Sequence, residues 1–382
     1  MPGVGGRDAA GPTPGTITYT RHPRGRTSAI RKDGTVRLHD PESRTFASDN
    51  YAGALPEVLA AIADANGGHQ IAYGEDAYTA RLGEVVRDEF GEQAEAFPVF
   101  NGTGANVVGL TAMLPRWGAV IATGSAHIHT DEAGAPERVS GLKLLVVPAV
   151  EGKLTPAAVE TEAWGWGDEH RAQPLAVSLT QSSELGTVYT PEEVRAVADF
   201  AHERGMAVHM DGARIWNAAA ALDLPLRAFT ADAGVDVLSL GGTKNGLLGA
   251  EAIVVLDPSR VDGLVYLRKL SMQLASKMRF ASAQLLALFE DDLGRRTAAH
   301  ANAMAARLRG ALEEVPGIGF SHPTQANAVF AELDLDAAAR VRERFRFYDW
   351  DRAKRQVRWM CAWDTTEADV DAFVATVRRA LA

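Results

Sequence analysis

From Arg44 onward, short apolar runs alternate with amphipathic stretches along the chain. The runs are "AFPVF" (Ala96–Phe100), "AVIAT" (Ala119–Thr123), "LKLLVVPAV" (Leu142–Val150) and "LAVSLTQSS" (Leu175–Ser183). They continue with "MAVHMDGAR" (Met206–Arg214), "VDVLSLGG" (Val235–Gly242) and "AEAIVVL" (Ala250–Leu256). Between them lie helical patterns, such as "VVGLTAML" after Asn106 and "PEEVRAVADFAHERG", which has Pro191 at a first helical position and stops on Gly205. Strands that are apolar throughout and separated by helices predict a mainly parallel sheet covered on both faces, an α/β architecture.

After about Pro258 the pattern changes. Long helical stretches cover Tyr266–Gly294 and Arg296–Val315; "NAVFAEL", "QVRWMCAW" and a terminal helix over Thr366–Ala382 follow. This predicts a large α/β domain over residues 44–258, with a connecting helix and a smaller C-terminal α+β domain over 259–382. Residues 1–43, rich in Gly and Pro and then basic, are expected to form a flexible extension without chemistry of its own.

Composition narrows the partners. A chain of 382 residues that is 46% hydrophobic suits two packed domains. A net charge of −10 argues against nucleic acid or an anionic membrane as the main partner. Cys361 is the single cysteine, so neither an intrachain disulfide nor a zinc site built on several cysteines is expected. No metal is assigned. The expected setting is a reducing cytoplasm, with a small molecule as the partner.

Ligands of open α/β sheets sit beyond the carboxyl ends of the strands. Three chemically useful groups fall at such positions: Gly102-Thr103-Gly104, Asp211 and Lys244. Lys244, between glycine pairs in "SLGGTKNG", reads either as a surface-turn lysine or as an amine at a dry strand end, where a lowered pKa suits Schiff-base chemistry. A Walker A loop does not fit, since Asn245 follows the lysine. Asp211 reads as half of a structural salt bridge or as the partner of a protonated pyridine nitrogen. "NGTGAN" opens a helix and offers backbone N–H groups to an anion.

Five segments taken in order, "FASDNYAG", "AYGEDAYTARL", "HMDGARIWNAA", "SLGGTKNG" and "SKMRFASAQ", resemble the threonine aldolase family of fold-type-I pyridoxal phosphate enzymes. The similarity runs from about Phe46 to the C-terminus. It implies a seven-stranded sheet, pyridoxal 5'-phosphate as cofactor, and reversible cleavage of β-hydroxy-α-amino acids to glycine and an aldehyde.

Position by position, the resemblance implies that Lys244 holds the cofactor and Asp211 partners its ring nitrogen. Gly102 and Thr103 then bind its phosphate, and His127 stacks on the ring near the substrate hydroxyl. Arg214 and Arg358 match the two guanidinium positions at the substrate carboxylate, although a solvent-facing arginine is the plain reading of Arg358 on an alternating strand. Ser48 and Asp49 match a substrate-side pair. Arg279 resembles a basic residue that reaches a neighbouring subunit's phosphate, within a homodimer or homotetramer with shared active sites.

The sequence departs from the family at Glu184, where many members carry histidine. A carboxylate there accepts a hydrogen bond or a proton when ionised, and is a spectator when buried and neutral. The catalytic base therefore stands open between His127, Glu184 and a bound water. Trp216, Tyr51 and Tyr78 are candidates for the aldehyde pocket as well as for core or interface packing. The rival readings are another pyridoxal phosphate reaction (β-elimination, racemisation or a transaldolase) and a catalytically inactive protein of the same fold.

Overall fold

The computed structural model describes residues 29–30 and 36–382, so the expected N-terminal extension lies largely outside the described residues. The main body is a seven-stranded sheet of β1 (Glu95–Val99), β2 (Gly118–Thr123), β3 (Lys143–Val147), β4 (Gln173–Thr180), β5 (Ala207–Gly212), β6 (Val237–Leu240) and β7 (Glu251–Val255). The spatial order is β1-β7-β6-β5-β4-β2-β3. β3, β2, β4, β5 and β6 pair in parallel, while β7 runs antiparallel to both β6 and β1. Every residue of β2, β5, β6 and β7 is buried, as a sheet covered on both faces requires.

Local signals explain several element ends. The helix Pro191–His202 begins with a capping box in which the Thr190 side chain and Glu193 satisfy each other's backbone N–H groups. β3 is shorter than expected, because Pro148 follows Val147 and cannot donate to a ladder. β4 ends at Thr180, which releases Gln181–Ser183 into the turn that carries Glu184.

The continuous helix expected from Tyr266 is broken. Helices cover Leu264–Leu270 and Arg279–Phe289, and Met272 between them has φ 60°, a left-handed conformation that no helix interior accommodates. The second of these helices buries Leu285 and Leu288 in the core of the large sheet, although it follows the boundary expected near residue 258.

The smaller sheet contains β8 (Gly319–Phe320), β9 (Ala328–Glu332), β10 (Tyr348–Asp351) and β11 (Gln356–Met360), antiparallel throughout in the order β8-β9-β11-β10. Its core is aromatic, with Phe46, Phe345, Phe347, Trp359 and Phe373 in mutual ring contact. Phe46 also pairs through its backbone with Arg346 and Met360, both at 2.9 Å. That docking carries the following residues, Ser48 and Asp49, into the seam between the two sheets.

Candidate active site

Lys244 lies in a single helical turn, Thr243–Asn245, just beyond β6. The surrounding glycines are there because the backbone approaches too closely for side chains. A Cβ on Gly241 would lie 2.7 Å from Ala213 Cα, and one on Gly246, whose φ is +94°, would lie 2.6 Å from Leu55. The buried carboxylate of Glu251 accepts from the N–H of Gly242 at 2.8 Å and of Thr243 at 3.2 Å, which pins the turn. Burial, and then the charge of Arg214, hold the Lys244 amine below the ordinary lysine pKa despite the opposing pull of Asp49, Asp211 and Glu251.

Asp211 ends β5 beside this turn and is buried. Its Oδ1 accepts from Ala213 N and its Oδ2 from Asn106 Nδ2, each at 2.9 Å. Burial alone would raise its pKa, but His127, Lys244 and these donors outweigh burial and keep it ionised below the usual carboxylate range. Asn106 also donates to Glu132 Oε1 at 2.9 Å, and the same oxygen lies 2.8 Å from His127 Nδ1. Burial alone would favour a neutral imidazole; the bond to Glu132 and the charge of Asp211 prevail and raise its pKa.

Glu184 reaches into the same space. Its Oε1 accepts from His127 N at 3.0 Å, while Oε2 is enclosed without a partner. Enclosure and the nearby negative charge of Asp211 push its pKa up to about 7.

The two arginines differ. Arg214 gives Nε and Nη2 to Asp49 at 2.7 and 2.9 Å, and Asn327 Nδ2 adds a third donor to Asp49 at 3.0 Å. Burial would raise the Asp49 pKa, but Arg214 holds it down at about 2. Asp49 and Arg214, both expected at the substrate, satisfy each other in a fork-to-fork pair. Ser48 Oγ caps its own turn, accepting from Asn50 N at 3.2 Å. Arg358, on β11, is only partly buried as a residue, yet its Nε is enclosed with no partner. Burial, and then repulsion from Arg214, lower its pKa to about 10.

Gly102 and Thr103 open the helix Gly102–Met113, whose Asn101 cap accepts from Gly104 N at 2.7 Å. A Cβ on Gly102 would meet nothing within 4 Å, so the backbone there faces open space that an anion can enter, whereas the Gln273 side chain packs against Gly104 in the same turn. Arg279 does not join this cluster; its Nη1 donates to Gly68 O at 3.3 Å. Trp216 is core, with Nε1 donating to Gly241 O at 3.0 Å, while Tyr51 is exposed and its hydroxyl meets that of Tyr348. A cavity of about 410 Å³ is lined by Thr130, Asp131, Leu185, His322 and Trp350 among others. The ring of Trp350 lies 5.1 Å from the Arg358 guanidinium.

This donor set fits pyridoxal phosphate: a buried amine of lowered pKa, an ionised acid at an adjacent strand end, an open helix N-terminus for phosphate, and an imidazole beside the acid. Asn106, Glu132, Glu251 and Asn327 were not singled out from sequence. Asn106 stands inside the motif "NGTGAN", and a polar residue within an otherwise apolar helix is its available signal.

Comparison with known proteins agrees with this picture. A family model described as beta-eliminating lyase matches residues 45–335. A low specificity L-threonine aldolase of a Pseudomonas species is 42% identical over 339 residues, covering 88% of this chain and 98% of that protein. Another, from Pseudomonas aeruginosa, is 43% identical over 325 residues, covering 85% and 94%. Among solved structures, Leishmania major threonine aldolase superposes with a TM-score of 0.84 at 29% identity, covering 89% of this chain and 100% of that one.

Proposed function

The chain belongs to the beta-eliminating lyase family, among its threonine aldolases, and from that premise we propose that it cleaves β-hydroxy-α-amino acids of the L-threonine and L-allo-threonine type to glycine and an aldehyde. It is a carbon–carbon lyase that depends on pyridoxal 5'-phosphate. The observation that carries the reading is that a lysine of lowered pKa and an ionised Asp211 influence each other's charge from neighbouring strand ends.

When bound, pyridoxal phosphate supplies an electron sink for the pair left on the substrate α-carbon. In this proposal Lys244 holds the cofactor, Asp211 keeps its ring nitrogen protonated, and the first turn at Gly102 and Thr103 takes the phosphate. Arg358 binds the substrate carboxylate, supported by its enclosed and unpartnered Nε. Arg214 holds Asp49 and shapes the seam from which Arg358 works.

Glu184 is the preferred base over His127 or a bound water, because a group with a pKa of about 7 exchanges protons efficiently near neutral pH. It takes the β-hydroxyl proton as the bond between the α- and β-carbons breaks and the aldehyde forms. The α-carbon then gains a proton to give glycine. The cavity bounded by Leu185 and Trp350 receives the substituent on the β-carbon.

We also propose a homodimer or homotetramer with shared sites, in which Arg279 serves the neighbouring subunit. Support comes from Tyr266, Leu270 and Met272, which are 77–81% exposed near the loop that precedes Arg279. Sedimentation as a monomer at micromolar concentration would reject the assembly. Among the described residues no helix is long and apolar enough to cross a membrane, and the single cysteine supports a cytoplasmic setting.

The deciding experiment incubates cofactor-loaded protein with L-threonine, L-allo-threonine or β-phenylserine and measures the aldehyde through a coupled dehydrogenase. Release from at least one substrate, abolished in Lys244→Ala, is expected. Pyruvate and ammonia without aldehyde would assign elimination instead.

A further inference from the structure

The Glu132 side chain has no solvent exposure, and one of its oxygens serves two neighbours, His127 Nδ1 and Asn106 Nδ2. The Asn106 amide nitrogen has two protons, and the structure directs one to Glu132 Oε1 and the other to Asp211 Oδ2. The opposite amide orientation would set a carbonyl oxygen against two carboxylates, so these contacts fix the flip. One ligating atom from each of His127, Glu132 and Asp211 lies within 4.8 Å of the others.

A carboxylate only accepts, so the nitrogen of His127 that faces Glu132 must carry a proton. Three charged groups act on this imidazole, Glu132 from its own loop, Asp211 from β5 and Lys244 from the turn after β6, while Glu184 from the loop after β4 accepts from the His127 backbone N–H. Of these, Glu132 is the one bonded to the ring.

We propose that Glu132 and Asn106 are positioning residues: Glu132 fixes His127 as the Nδ1–H tautomer, leaving Nε2 as the nitrogen that accepts a hydrogen bond from the substrate hydroxyl while Glu184 takes its proton. Asn106 ties the same carboxylate to Asp211, so one buried frame sets both the imidazole beside the cofactor ring and the acid for its nitrogen. The frame belongs to the bare chain; its catalytic meaning rests on the reading that His127 and Asp211 face the cofactor. In that setting Nε2 is the atom offered to a substrate oxygen, and rotation of the ring is suppressed because Nδ1 is already held.

The test is made on the cofactor-free protein labelled with ¹⁵N in histidine, following two-bond ¹H–¹⁵N spectra over pH. Above its midpoint His127 is expected to give the Nδ1–H pattern, and Glu132→Gln is expected to lower that midpoint by at least about one pH unit. The resonances of His322, whose Nδ1 lies 2.7 Å from Glu151, serve as the internal reference. An Nε2–H pattern for His127 in the unaltered protein overturns the proposal even if the variant does not fold. So does an unchanged midpoint in a folded Glu132→Gln protein.

In the loaded enzyme the same variant is expected to lower kcat for L-threonine by about tenfold or more, with KM within about twofold, since Glu132 acts through its neighbours. An unchanged kcat would remove its catalytic meaning. If no aldehyde forms with the unaltered protein while the Nδ1–H tautomer is seen, the aldolase assignment fails and the frame remains.

Discussion

Asp211 and Glu184 leave adjacent strands at one edge of the sheet, with Thr180 and Asp211 directly paired in the ladder, yet their acidities are driven apart. Asp211 is reached by a backbone N–H, the Asn106 amide and two cationic groups, so it stays ionised in spite of burial. Glu184 accepts from the His127 N–H on one oxygen while the other is enclosed without a partner, and its charged neighbour is the negative Asp211, so burial prevails. Burial alone does not fix the charge of a buried acid; the sign of the charges set beside it decides. Two carboxylates with separated acidities can hold different tasks in one site, a fixed counter-charge and a mobile proton.

The most damaging way to break this contrast is to remove the fixed charge. Asp211→Asn is expected to lower kcat for threonine cleavage roughly a thousandfold, on the scale of losing a preorganised electrostatic partner. Steady-state rates measured at saturating cofactor check it. A comparable kcat in this variant would detach Asp211 from the chemistry.

Asp49 extends the comparison to an acid satisfied by a full guanidinium fork. Asp49→Ala leaves Arg214 buried and unpaired, and is expected to cost about 3–5 kcal/mol of folding stability, read from denaturant unfolding. The sign of its pH dependence follows from its pKa. Held at about 2 against an ordinary 3.8, Asp49 contributes stability that is complete above pH 4 and is lost as pH falls through about 2.

Glu184 is the tunable member. Activity is expected to rise with pH through about 7 as its carboxyl ionises, and Glu184→Gln is expected to flatten that limb and lower kcat about a hundredfold. A rising limb that persists in the variant would transfer the proton to His127 or to water. The smallest effect concerns the cavity. Leu185→Ala or Trp350→Ala is expected to alter KM for β-phenylserine about threefold to tenfold relative to threonine, the scale of a few apolar contacts.

Much of this was legible in the chain. Lys244 and Asp211 stand at the ends of apolar runs, and the glycines beside the lysine announce a close backbone approach. The strand Tyr348–Asp351 is not among the elements expected from sequence, although its aromatic and acidic residues alternate with the period of a strand. Other features were not legible. Helical periodicity runs on through Ser271–Met278, and the interruption at Met272 depends on tertiary contacts such as the bond from Tyr73 N to Ser276 O at 3.0 Å. Asn106 announces only that it needs a partner; that it has two, from separate strands and loops, is decided by the fold. The pairing of Arg214 with Asp49 joins residues far apart in the chain, and residue types alone leave both free to meet substrate.

The reversed strand β7 has a consequence for how this edge is furnished. Its neighbours deliver functional groups where they finish, whereas β7 travels the other way and meets the ligand edge with its first residue, Glu251. A carboxylate at a strand's origin thus becomes the foundation under the lysine turn, gripping two successive amide protons from below. Direction of travel lets a single sheet furnish that rim from beginnings as well as endings, and a residue's distance along its own strand is no guide to its nearness to the chemistry.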